Sequence, residues 1–437
     1  MAFKGQQVSR VPVPERTSTS YSQILKSSSL IGGAQGIGLL LGMVRTKFAA
    51  VLIGPLGVGL AGNYLAIQGL VSTVAGLGIQ SSAVRDVAEA VGREDREAIG
   101  RTILTLRRIC WLTGLVGMLA MMALAGLLSR WTFGSDDHAL EVAALGVVIL
   151  LGNISGGQTA LIQGMRRIGD LAKLNIVAAL ASTLITIGCY LWLGLRGIVP
   201  AMLLMAVVQL AASWHFARRV PVPAVRMSWW ASLGASSGMI RLGLVFMWSA
   251  LITALVAYLT RALITQQIDL EAVGIFGAAF SLSAMFVGFV LGAMGADYYP
   301  RLTAVASDRA AVNRLVNEQT EIGLLLAVPG LLATLSLAPW IIRLFYTDAF
   351  LPAAELLQWF VLGCLGRVIS WPLGFVMLAL GKGRWFFATE TTFSLLHLAL
   401  IALGLFVLGI EGVAVAFFVL YIACTLGVYW VAHRLTD

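Results

Sequence analysis

Residues 45–62 read RTKFAAVLIGPLGVGLAG, and residues 261–277 read RALITQQIDLEAVGIFG. Each stretch opens on an arginine and closes on the same glycine pattern, Val58-Gly59-x-x-Gly62 in the first and Val273-Gly274-x-x-Gly277 in the second. The match extends along the chain. Gly164, followed by Arg166 and Arg167, recurs as Gly381, followed by Lys382 and Arg384. Gly197 recurs as Gly412, and Trp214 and Arg218 recur as Trp430 and Arg434. All these landmarks lie 215 to 217 positions apart. The chain reads as two copies of one unit, residues 21–218 and 233–437, joined by a linker at 219–232. Its Val-Pro-Val-Pro run makes that linker semi-rigid.

Composition says what each copy is made of. Of 437 residues, 59% are hydrophobic and 12% are charged, against about 25% charged in soluble domains. A soluble fold of this composition would expose large apolar patches, and disorder is further excluded. Twelve apolar runs follow one another, each near the length that spans a bilayer. They cover 24–52, 57–82, 104–129, 139–163, 174–194, 197–217, 237–265, 272–297, 318–345, 354–380, 387–409 and 412–433. The expected fold is all-α, with twelve transmembrane helices in two parallel six-helix halves around a central cavity. Residues 1–20 read as a disordered cytoplasmic tail without the apolar core of a signal peptide. Residues 228–236, carrying Trp229 and Trp230, read as an interfacial piece. Cys110, Cys189, Cys364 and Cys424 fall singly in apolar runs, so neither a disulfide framework nor a metal site is suggested.

The 30 Lys and Arg outnumber the 21 Asp and Glu. If the N-terminus is inside, 22 of the cations fall in inner segments and three (Arg130, Arg196 and Arg343) in outer loops. The positive-inside rule then places both termini in the cytoplasm. The net charge of +9 is therefore topological and implies no nucleic acid. Six spans per half is an even number, so the halves share one orientation, an arrangement that usually puts a substrate path between them. A transporter is the default reading. No Ser/His/Asp set or paired carboxylates appear, so an enzyme is not expected.

Segment 22–62 (SQILKSSSLIGGAQGIGLLLGMVRTKFAAVLIGPLGVGLAG) resembles the opening of bacterial O-antigen flippases, the Wzx-type polysaccharide exporters. So do Gly78-Ile79 with Val84-Arg85-Asp86-Val87-Ala88-Glu89-Ala90, and Asp297-Tyr298-Tyr299-Pro300-Arg301-Leu302-Thr303. The resemblance spans about residues 20–434 and extends to enterobacterial common antigen lipid flippases. It implies the fold of multidrug/oligosaccharidyl-lipid/polysaccharide exporters. It also implies a substrate, an undecaprenyl-diphosphate-linked glycan moved between leaflets of the bacterial inner membrane. Further implied are contact with membrane lipids, a polysaccharide polymerase and chain-length regulator as partners, and no cofactor.

Five cations remain inside the spans: Arg45, Lys47, Arg241, Arg261 and Arg367. An arginine at mid-bilayer costs about 2.5–3.5 kcal/mol on insertion scales, so it faces a cavity or a partner. Guanidinium suits a diphosphate, being always charged and able to bind two oxygens at once. Arg45, Arg261 and Arg367 are the expected substrate-binding residues. Gly363, Cys364, Ser370 and Gly374 share the face of Arg367, as Gly38, Gly42 and Ala49 share that of Arg45. Lys47 points away from Arg45 and should snorkel or pair, and Arg241 should snorkel to head groups. Glu390, Ser394 and His397 form one stripe, with Glu390 and His397 as candidates for ion coupling. Asp86 and Arg301 follow Gly62 and Gly277 by 24 residues each and are candidates for a gate. Gly32-x-x-x-Gly36 and Gly38-x-x-x-Gly42 read as helix-packing faces. The aromatics read as an interfacial belt, and Asp136-Asp137 beside His138 as helix capping. The alternative function, a multidrug cation antiporter of the same fold, should line its cavity with carboxylates. The first span instead carries Arg45 and Lys47.

Overall fold

The computed structural model describes residues 18–223 and 225–436. Through residue 17 the expected tail lies outside the described residues, and helix already runs from Ser18. Thirteen α-helices follow: α1 Ser18–Gly76, α2 Ile79–Gly92, α3 Arg96–Phe133, α4 Ala139–Gly164, α5 Ile168–Leu193, α6 Ile198–Ala217, α7 Trp229–Ala235, α8 Ser237–Gln267, α9 Leu270–Ala304, α10 Arg309–Phe345, α11 Ala353–Ala379, α12 Gly383–Leu408 and α13 Ile410–Thr436. Single 3₁₀ turns occupy Gly194–Gly197 and Asp348–Phe350. Among the described residues no strand occurs.

Ten helical stretches are long and apolar enough to cross a membrane. Two of them, Gly32–Gly76 and Ile168–Ala217, hold 45 and 50 residues. A straight helix of that length would run roughly 70 Å, over twice the ~30 Å of hydrocarbon. Each contains a break. In α1 it is Gly54, with φ 62° and ψ −170°. Pro55 follows, and its missing N–H costs nothing at a helix start. The second copy makes the same turn differently. There Asp269 caps α9, its carboxylate accepting from the Ala272 N–H at 2.7 Å. The long Ile168–Ala217 stretch breaks at the Gly194–Gly197 turn.

Some boundaries differ from the apolar runs. The second run crosses Leu77 and Gly78, whose φ of 49° and 63° end α1 before α2. Helices α3 and α10 begin well before the third and ninth runs. Their first turns are charged, and Asp95 and Asp308 cap them, accepting from Ala98 N–H and Ala311 N–H at 3.0 and 3.1 Å. Hydropathy passes over such turns.

Residues before and after the linker meet near Gly78 and Gly243, where a Cβ on either glycine would collide with backbone of the other segment, and again at the end of the bundle that bears the Gly54 turn. A Cβ on Gly59 would collide with the Leu270 carbonyl and lie 2.9 Å from the Gly274 nitrogen. A Cβ on Gly274 would collide with the Pro55 carbonyl and lie 3.2 Å from the Gly59 nitrogen. Gly59 and Gly274, which share a sequence pattern, therefore pack against each other. Around them Asn63 donates to Thr265 Oγ1 at 2.8 Å, and the Thr132 and Tyr258 hydroxyls bond at 3.0 Å.

Two clasps flank this contact. Lys47 Nζ donates to the Arg343 carbonyl at 2.8 Å and to the Tyr346 carbonyl, both at the C-terminal end of α10. Gln266 Nε2 donates to the Trp131 carbonyl, in the last turn of α3. Each half's first helix thus caps the third helix of the other. A lysine there also meets the negative end of the helix dipole. At the opposite end Arg108 holds the linker. It donates to the carbonyls of Met227 and Ser228 at 2.9 Å each and to Ser232 Oγ at 2.6 Å, 4.8 Å from the centre of the Trp229 ring. The interfacial piece read at 228–236 is the short helix α7, with Trp230 83% exposed.

Candidate functional site

Each half encloses a cavity. The first, of about 440 Å³, is walled by α1, α4, α5 and α6. Arg45 enters it beside Gln68, Ser155, Ser182, Thr183 and Gln209, with Met202 and Met205 supplying apolar wall. Arg45 Nη1 donates to Ser182 Oγ at 3.2 Å. Gly38, Gly42 and Gly152 also line it, and a Cβ on any of these three would meet nothing within 4 Å. That corrects the expected packing face: Gly38-x-x-x-Gly42 leaves a cavity open rather than seating a helix. Gly32 and Gly36 likewise face open space.

The second cavity, of about 610 Å³, is walled by α8, α9, α11, α12 and α13. It brings together Arg261, Arg367, Glu390, Ser394 and His397. Its wall is aromatic, with Phe276, Phe280, Phe360, Trp371, Phe417 and Tyr421 among the lining. The expected interfacial belt therefore does not account for these rings, which face inward. Arg261 Nη1 bonds the Ala257 carbonyl of its own helix at 3.0 Å, and its guanidinium lies 5.6 Å from the centre of the Phe276 ring. Its Nε is buried and bonded to nothing, 3.6 Å from where a Cβ on Gly62 of the first half would sit. Among the described residues neither Arg261 nor Arg367 forms an ion pair. Glu390 accepts instead from Ser249 Oγ. The small-residue face of Arg367 has two uses. Gly363 admits the Phe417 ring at 2.5 Å from its missing Cβ, while Ser370 and Gly374 line the cavity.

The three expected arginines therefore do not share one site. Arg45 stands in one cavity, and Arg261 and Arg367 in the other. Arg45 and Arg261 hold equivalent places, 216 positions apart, on the first helix of separate bundles. The rest of the lining corresponds too. Gly152, Ser155, Ser182, Met202 and Gln209 stand 215 positions before Arg367, Ser370, His397, Phe417 and Cys424. Reading that offset across the spans would have revealed the Gly152–Arg367 and Ser182–His397 pairs, as well as Gln209, which sequence reasoning passed over.

The remaining candidates lie elsewhere. Asp86 sits at the linker end in a cleft with Arg101, Arg226 and Ser228. Burial pushes its carboxyl above the usual range, with Arg85 opposing and Glu89 adding to the shift. Arg301 is exposed in the last turn of α9. Lys47 pairs with carbonyls rather than snorkelling, and Arg241 is exposed. The expected capping role of Asp136 and Asp137 gives way to other bonds. Asp136 pairs with Arg130 at 2.7 Å, Asp137 accepts from Ser135 Oγ at 2.9 Å, and His138 Nδ1 bonds the buried Tyr64 hydroxyl at 2.9 Å.

A family model described as polysaccharide biosynthesis protein matches residues 49–355. The lipid III flippases of Escherichia coli (strain K12) and Shigella flexneri are each 26% identical to the chain over 421 residues, covering 91% of it and 95% of the relative. Among solved structures, an inward-facing multidrug resistance MATE family transporter of the MOP superfamily superposes with a TM-score of 0.75 at 15% identity, over 91% of this chain and 95% of that one. The lipid II flippase MurJ in an inward closed conformation gives 0.70 at 14% identity, over 94% of this chain and 87% of that one. The chain thus shares the fold of these membrane transporters.

Proposed function

The chain belongs to the polysaccharide biosynthesis protein family, and we propose that it is a flippase carrying a polyprenyl-diphosphate-linked oligosaccharide across the bacterial inner membrane. The observation that carries this reading is the pair Arg261 and Arg367, cations inside an aromatic cavity without a carboxylate partner among the described residues. Burying an unpaired charge is expensive. A diphosphate repays that cost with charge-assisted, two-pronged hydrogen bonds. The relatives' names point the same way, to lipid III, a precursor of enterobacterial common antigen. O-antigen units would present the same diphosphate.

In this reading the 45- and 50-residue stretches each divide at their break, giving twelve spans. The units are 21–218 and 233–437, with both termini cytoplasmic and the Gly54 end outermost. Closed clasps at that end correspond to a chain awaiting substrate from the cytoplasmic side. Rocking of the halves then exchanges access. Glu390 and His397 border the second cavity and are the candidates for coupling to an ion. Asp86 and Arg301 remain candidates for a cytoplasmic gate, and a polymerase and a chain-length regulator for protein partners. The cation-antiporter alternative fits less well, because the two cavities hold three arginines and one carboxylate, Glu390.

The test is complementation. The chain should restore surface glycan to a strain lacking its lipid III flippase. Arg367→Ala should insert into the membrane to the same level and restore none. Full restoration by Arg261→Ala and Arg367→Ala would sink the cationic-cavity mechanism.

A further inference from the structure

The two cavities occupy equivalent places but are chemically unlike, and this points to a division of the substrate between them. We propose that the first-half cavity is the glycan subsite, while the second-half cavity takes the diphosphate. This rests on the flippase reading.

The two cavities differ in the donors and acceptors they offer. A diphosphate and a hydrocarbon chain offer no hydrogen-bond donor. A sugar offers many hydroxyls, each of which both donates and accepts. The second cavity presents guanidinium donors and aromatic wall, which suit the former pair. The first presents the side-chain amides of Gln68 and Gln209, with the hydroxyls of Ser155 and Thr183. An amide donates from nitrogen and accepts at oxygen, so it can bond a hydroxyl in either sense. Neither amide has a protein partner among the described residues. Polar groups facing a cavity and unused by the fold are available to a ligand. Arg45, steadied by Ser182, retains free guanidinium donors for a hydroxyl or an acidic substituent. Gly38, Gly42 and Gly152 keep the space above these groups clear. The volume of about 440 Å³ lies within the ~300–1,000 Å³ of ordinary small-molecule sites.

The test uses the purified full chain in detergent with undecaprenyl diphosphate that carries no sugar, read by thermal stabilisation, together with surface glycan display in the complemented strain. The chain should be stabilised by this probe. Arg261→Ala and Arg367→Ala should weaken the probe's binding at least tenfold. The double variant Gln68→Ala with Gln209→Ala should bind the probe within twofold of the unaltered chain, yet lose at least tenfold in glycan display. Gly42→Leu, which fills part of the first cavity with apolar bulk, should behave likewise. The melting temperature of each variant without ligand checks its folding, and Gln209→Asn replaces the double variant if that fails to fold. Gln68 and Gln209 variants that lose the sugar-free probe as severely as the arginine variants would overturn the division, as would variants with unaltered display. If undecaprenyl diphosphate does not stabilise the unaltered chain, the flippase reading itself fails.

Discussion

The two cavities are lined from positions 215 or 216 residues apart, yet they differ at nearly every one of them. Arg45 and Arg261 are shared, and so are Ser155 and Ser370. Elsewhere the first half keeps glycine, serine and methionine where the second has arginine, histidine and phenylalanine. The difference teaches that the scaffold tolerates a charge at the shared position in both halves. A second charge and an aromatic wall stand in one cavity only. The first cavity buries little that needs a ligand to be satisfied. The second buries a guanidinium nitrogen with no partner, which agrees with the diphosphate site proposed there.

The largest effect should come from moving that second charge. Arg367→Gly should cost ~1.5–3 kcal/mol of substrate binding, or roughly 10–150-fold. Adding Gly152→Arg to it places a charge at the matching position in the other cavity, where a Cβ meets nothing within 4 Å. Glycan display should stay abolished, and recovery by the double variant would show the cavities to be interchangeable. Next is the contact the halves share. Gly59→Ala and Gly274→Ala place a methyl against backbone of the other half and should each destabilise by ~1–3 kcal/mol. Gly42→Ala, facing open space, should be neutral or slightly stabilising. Thermal unfolding in detergent separates the cases. A smaller effect is expected of Lys47→Gln, which makes one clasp resemble the other. The loss of charge at the end of α10 should cost ~0.3–1 kcal/mol, measured as faster modification of cysteines placed behind the clasp. Smallest is Asp136→Asn. The Arg130 hydrogen bond holds the Asp136 carboxyl below its usual range, so its contribution is present above the unfolded pKa and fades as pH falls through the folded one. The variant should melt like the parent chain at acid pH and marginally earlier at neutral pH.

Much of this was legible in the sequence. Hydropathy gave an all-helical, multi-pass membrane protein, and the unusual in-membrane cations picked out three residues that line cavities. Glu390 and His397 were placed on one helix stripe, and the structure lines one cavity with both. Grouping was not legible. Helical spacing says which residues share a face, but not which bundle that face looks into, so Arg45 was grouped with Arg261 and Arg367. Nor does a glycine pattern declare its purpose. Gly59 and Gly274 seat backbone against backbone, whereas Gly38 and Gly42 hold a space open. Gln68 stands out in the sequence on a polar stripe with Tyr64 and Ser72, and it lines the first cavity; Gln209 does not, because a lone neutral polar residue costs too little in a membrane to attract notice.

The clasps carry a consequence for energy supply. Lys47 and Gln266 both donate to backbone carbonyls, which cannot be protonated at any physiological pH. Under the proposed orientation, the acceptors of these clasps cannot sense the proton concentration on either side of the membrane. If a proton drives the cycle, it must act where a side chain can take it up, and the second cavity, with Glu390 and His397 beside the candidate diphosphate site, offers such a place. The seal would then be opened from within, by what happens around the cargo, rather than unlocked from outside.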